Sequence, residues 1–161
     1  MSNMNPIIDI KATGTGWVRC TVRPARRNYV FSASYDSDAL GSLVIAALSI
    51  MSDINSISFK FYGNYSDWIW MIERNAADHI EIEILEATPN LSGPLGEYDL
   101  KPVVKFSRTP IAFAQSIHIT ASEMLKKHGP KKYKELSVYH DFPKELVQLL
   151  GKRITARQDD A

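Results

Sequence analysis

The sequence predicts an α+β fold: a mostly antiparallel sheet of about six to seven strands, two long helices packed on one face, and a short C-terminal helix. Three features predict it. Short runs of alternating apolar residues are separated by Gly, Asn and Pro turns. Two long stretches, residues 35–53 and 109–128, instead repeat apolar residues at helical spacing. The strands also come in runs rather than alternating singly with helices, which disfavours a doubly wound parallel sheet. With 161 residues, 45% of them hydrophobic, the chain is long enough to bury a core without disulfides or metals. One domain is expected over residues 1–151, followed by a polar, frayed tail over residues 152–161.

Residues 6–12 alternate weakly around Ile8 and Ile10 and read as an edge strand, ended by a turn at residues 13–16. In the next strand Val18, Cys20 and Val22 share one face. Cys20 therefore reads as a core thiol, since a nucleophilic cysteine needs an electropositive, partly exposed setting. Pro24 and Ala25 turn the chain, and Tyr29, Phe31, Ala33 and Tyr35 alternate through a third strand. The helix over residues 35–53 places Leu40, Leu43, Val44, Ala47, Leu48 and Met51 on one side. Asp36 or Ser37 serves as its cap, and Asp38 suits the positive end of its dipole.

Three more strands follow as a meander, with inward rows Ile57, Phe59, Phe61, then Trp68, Trp70, Ile72, then Ile80, Ile82, Ile84. Gly63-Asn64 and residues 75–78 supply the turns. Both tryptophans in these rows read as core. The opposite face carries Tyr62, Ile69, Met71, Glu73, Glu81, Glu83 and Leu85, mixing carboxylates with apolar groups. Residues 89–99 read as an irregular loop and residues 103–106 as the last strand. Thr109 caps the second long helix with Pro110 at its first position, and Gly129-Pro130 ends it. A basic stretch over residues 131–134 leads to a short helix that starts at residues 141–143. It turns Leu146, Leu149 and Leu150 inward and stops at Gly151.

The net charge of +1 conceals three unequal parts. Residues 1–35 carry five bases, Arg26 and Arg27 among them, against one acid. Residues 36–99 carry eleven acids against Lys60 and Arg74, and the remainder carries twelve bases against six acids. An acidic middle of this kind bears on partners more than on fold. The N-terminus lacks both the basic region and the apolar core of a signal peptide, and no apolar run is long enough to span a bilayer. A single cysteine provides no disulfide framework. The cytoplasm is the expected compartment.

Catalytic patterns are absent. His79, His118, His128 and His140 form no HxH or HExxH pattern, so no metal is expected, and no glycine pattern supports a cofactor. Glu81 and Glu83 point the same way from a strand, where they serve as a solvated face rather than an acid–base pair. The arginines near Tyr29 and the lysines over residues 126–134 offer basic patches. The acidic middle opposes phosphate, however, and direct nucleic-acid contact is not expected.

A cysteine-poor α+β chain with an acidic sheet face, no catalytic constellation and the helix start YDSDALGSLVIAAL over residues 35–48 resembles the immunity proteins of bacterial contact-dependent and other polymorphic toxin systems. The resemblance implies a non-catalytic protein that binds and blocks one cognate toxin domain, many such toxins being basic nucleases. On that reading Asp67, Glu73, Asp78, Glu81 and Glu83 supply charge, while Tyr62, Ile69 and Met71 supply apolar anchors. A second reading is a small-ligand domain or enzyme with a pocket between the sheet and residues 89–99, lined by Tyr98, Trp70 and His118. A third is a scaffold that pairs with itself through the mixed face.

Overall fold

The computed structural model describes residues 6–25, 27–76, 78–138 and 140–160. Arg26 of the N-terminal basic cluster, Ala77 of the predicted turn, Ala161 of the predicted tail and residues 1–5 lie outside them. Among the described residues, seven antiparallel strands and three helices follow in the order β1 (Ile8–Gly14), β2 (Trp17–Val22), β3 (Tyr29–Ser34), α1 (Ala39–Met51), β4 (Ser56–Phe61), β5 (Asp67–Ala76), β6 (His79–Pro89), β7 (Tyr98–Arg108), α2 (Pro110–Ser137) and α3 (Lys144–Asp159).

The strands do not form one sheet. They divide into a three-stranded sheet, β1-β2-β3, and a four-stranded sheet, β4-β5-β6-β7, each a meander. At the seam, ring contacts and isolated hydrogen bonds rather than a continuous ladder join β3 to the β4 and β5 region. Phe31 packs against Trp68 in a tilted pair with ring centroids 4.5 Å apart, and its ring centroid lies 6.3 Å from that of Phe61. Ser34 N–H donates to Tyr62 O at 2.7 Å, and the Trp68 indole donates to Ser32 O.

Helix α1 is buried more widely than one stripe. Leu40, Leu43, Val44, Ala47 and Met51 are buried as the spacing predicts and Leu48 is half-buried, but Ala39, Ala46 and Ile50 are buried too. It packs against α2, α3 and β4, so three sides need apolar residues. Its cap is Asp38 rather than Asp36 or Ser37, with Oδ1 accepting from Gly41 N at 3.0 Å. A Cβ at Gly41 would fall 2.1 Å from Asp38 Oδ2, so glycine makes room for the capping carboxylate.

Helix α2 does not simply cover a face. It lies along the outer edge of β1, where Ser116 Oγ accepts from Ile8 N at 2.9 Å and Thr120 Oγ1 accepts from Ile10 N at 2.8 Å. Hydroxyls one turn apart thus replace the missing neighbouring strand and seal an edge that would otherwise template aggregation. Thr109 caps α2 as predicted, accepting from Ala112 N. At Gly129 the backbone leaves helical geometry (φ 77°, ψ 164°), the predicted break, but a further helical stretch continues to Ser137 and buries Tyr133.

The C-terminus departs most from expectation. Helix α3 runs through Gly151 to Asp159, so most of the predicted tail is helical, and its buried stripe is Val147, Leu150 and Ile154. Leu146 and Leu149 are exposed instead. Gly151 is a crossing point and not a stop, since a Cβ there would sit 2.9 Å from His118 Nε2 on α2. Strands β6 and β7 also extend into the predicted loop, leaving residues 90–97 as the connection. A bulge opposite Ile84 and Leu85 leaves Val103 out of register beside Pro102, which cannot donate to a ladder.

Candidate partner-binding face

The four-stranded sheet has one face on the core and one away from it. Phe61, Trp70, Ile72, Ile80, Ile82, Ile84 and Val104 point inward and are buried. Alternation then sends Ile69, Met71, Glu73, Glu81, Glu83 and Leu85 outward, together with Lys60, Tyr98, Leu100, Pro102 and Lys105. Register fixes the rows across this outer face. Ser58, Met71, Glu83 and Lys105 form one, and Ser56, Glu73, Glu81 and Ser107 the next.

These rows sort charge from apolar surface. Glu73 stands directly opposite Glu81, a like-charge cross-strand pair that disfavours the sheet locally. Lys105 Nζ answers from β7, 3.5 Å from Glu81 and 3.8 Å from Glu83. Toward the other end of the strands the character changes. Lys60 pairs with Asp67 at 3.3 Å and lies over the rings of both Tyr62 and Tyr98, 5.1 and 5.5 Å from their centroids. Beyond those rings the β6–β7 connection exposes Leu91 and Leu95 by 85% and 105%, and Leu100 is 56% exposed. Tyr65 adds another exposed ring in the β4–β5 connection.

Of the residues singled out in the sequence, Ile69, Met71, Glu73, Glu81 and Glu83 share the outer face, and Asp67 and Tyr62 lie at its Lys60 end. Asp78 is in the β5–β6 turn at the opposite end. Its carboxylate meets His79 Nδ1 at 3.0 Å, and that hydrogen bond lowers its pKa. Sequence reading missed the exposed Tyr65, Leu91, Leu95, Tyr98 and Leu100 as part of this surface. A leucine pair inside a Gly- and Pro-rich stretch is the signal that could have found them.

The three residues predicted to line a ligand pocket are not brought together. Trp70 is buried on the inner face, Tyr98 lies on the outer face, and His118 sits at the α2–α3 crossing. Among the described residues no group of three or more His, Cys, Asp or Glu is placed to hold a metal ion, and no helix is long and apolar enough to cross a membrane. Burial, with Asp9 beside it, pushes the Cys20 thiol well up from its ordinary pKa, as fits a packed side chain. Comparison with protein-family models, curated proteins and solved structures returns no match.

Proposed function

We propose that this chain is a non-catalytic binding protein that neutralises a cognate bacterial toxin domain, a basic nuclease, by covering it with the outer face of the four-stranded sheet. The observation that carries the reading is the meeting of apolar and acidic side chains on that one face, including a Glu73–Glu81 opposition that the fold itself does not reward. Function is the usual reason for keeping such a local conflict. Ile69, Met71 and Tyr62 would anchor the partner, while Glu73, Glu81 and Glu83 would draw a basic surface in and disfavour wrong partners.

The test uses the toxic domain encoded beside this chain. Co-expression should restore growth, and association should be fast at low salt and slow as salt rises. The double variant Glu81→Lys/Glu83→Lys should cut the association rate at least tenfold at low salt while leaving the fold intact by circular dichroism. Unchanged association by that folded variant would refute the placement, and failure to rescue growth at all would refute the toxin reading. Light scattering that finds stable dimers built on this face would favour self-pairing instead.

A further inference from the structure

The β2–β3 connection folds back toward the free edge of β7, and a cleft of about 450 Å3 lies between them. Three cations line it, Arg27, Lys105 and Arg108, beside the rings of Tyr29 and Phe106, and none of its described lining residues is a carboxylate, although Glu86 Oε2 lies 3.5 Å from the Tyr29 hydroxyl. Two other clefts mix their signs. The one between β1 and α2 sets Asp9 and Glu123 against Lys11 and Lys127, and the groove between α2 and α3 sets Asp159 against Lys152.

Arg108 is held without being neutralised. One of its Nη atoms donates to Pro24 O and the other to Ser107 O, and its guanidinium lies 5.1 Å from the Phe106 ring centroid. Carbonyls and a ring face orient a guanidinium but leave its full charge in place. Among the described residues neither Arg108 nor Arg27 is in an ion pair, whereas Lys105 is shared with Glu81 and Glu83. Two uncompensated guanidinium groups therefore sit at an apolar, partly aromatic wall, one of them fixed in advance.

The geometry points to a binding site for a small phosphomonoester on a planar body, of nucleoside monophosphate size, with Arg27 and Arg108 on the phosphate and Tyr29 and Phe106 along the body. Guanidinium forks match phosphate oxygens in pairs. The cleft volume lies within the range of small-molecule sites. The inference does not depend on the toxin reading, because the residues assigned to the ligand, Arg27, Arg108, Tyr29 and Phe106, are not among those assigned to the toxin.

Isothermal titration of the full chain at low salt, with adenosine 5′-monophosphate as probe, tests it. Binding is expected, weakened at least tenfold in Arg27→Ala, an exposed position whose change leaves the core untouched, and likewise in Arg108→Gln if circular dichroism shows it folded. Adenosine and inorganic phosphate, titrated separately, should each bind at least tenfold more weakly than the nucleotide. Absence of binding at millimolar probe, or nucleotide binding indifferent to Arg27→Ala, overturns the site. Inorganic phosphate binding as tightly as the nucleotide overturns the planar body.

Discussion

Tyr35 and Tyr133 meet edge to face with ring centroids 6.0 Å apart, both side chains almost fully buried, and their hydroxyls interact with each other without reaching a well-formed hydrogen bond. A buried hydroxyl without a well-formed hydrogen bond loses its water and gains little in return, a cost of about 1–3 kcal/mol. Tyr133→Phe should therefore be neutral or stabilising by about 1 kcal/mol at neutral pH, measured by urea denaturation. The same burial pushes the Tyr35 pKa up to about 12 and raises that of Tyr133 as well. Burial and the Glu86 carboxylate push Tyr29 up to about 12. In the unfolded chain these phenols ionise near pH 10. Above that pH the unfolded state releases protons that the folded state retains, so stability falls as pH rises from about 10 toward 12. Tyr133→Phe should make that alkaline loss shallower, and a melting series between pH 8 and 12 would show it. An unchanged slope would mean that the Tyr133 hydroxyl ionises as freely folded as unfolded.

At the level of elements, the sealed edge of β1 shows what hydroxyls contribute where no strand is available. Thr120 is almost fully buried, its Oγ1 accepts from Ile10 N and it donates to Asp9 Oδ1, so water cannot replace it. Thr120→Ala should cost about 1–3 kcal/mol, and Thr120→Ser, which keeps the oxygen, distinctly less. Equal losses by denaturant midpoint would show that the methyl, not the hydroxyl, matters. The α3–α2 crossing provides a second test. Alanine in place of a helical glycine normally gains up to about 1 kcal/mol, but at Gly151 the new Cβ meets the His118 ring. The gain should appear in a His118→Ala background and vanish or reverse in the native one, a coupling readable by a double-mutant cycle. These elements also show what was legible in the sequence. Strand rows, the α2 cap and the Gly129 break were written in local spacing and turn chemistry. Gly151 was misread as a stop because its reason lies on another helix, and Ser116 and Thr120 carried no local sign that they face a strand more than a hundred residues earlier.

For the whole molecule, the split into two sheets was the feature that local patterning could not supply, because alternation specifies which side is buried and not which strand lies alongside. The outer face was legible for the same reason: period-two alternation placed Ile69, Met71, Glu73, Glu81 and Glu83 together without knowledge of the sheet's edges. What unites the sheets is a shared core, with Phe31 packed into Phe61, Trp68 and Trp70 across the seam, α1 resting on β4, α2 on β1, and the two helices on each other. Removing Phe31 empties the centre of that seam. Phe31→Ala should cost about 3–5 kcal/mol, a urea midpoint lower by roughly 1–5 M for a slope of about 1–3 kcal/mol/M. Because the helices still bridge both sheets, the molecule should continue to unfold as one unit. Tryptophan fluorescence, which reads the seam through Trp68 and Trp70 and the three-stranded sheet through Trp17, and far-ultraviolet circular dichroism, which reads all elements, should then give coincident transitions in the variant. Separated transitions would mean that the aromatic seam, and not the helices, is what makes the two sheets fold together.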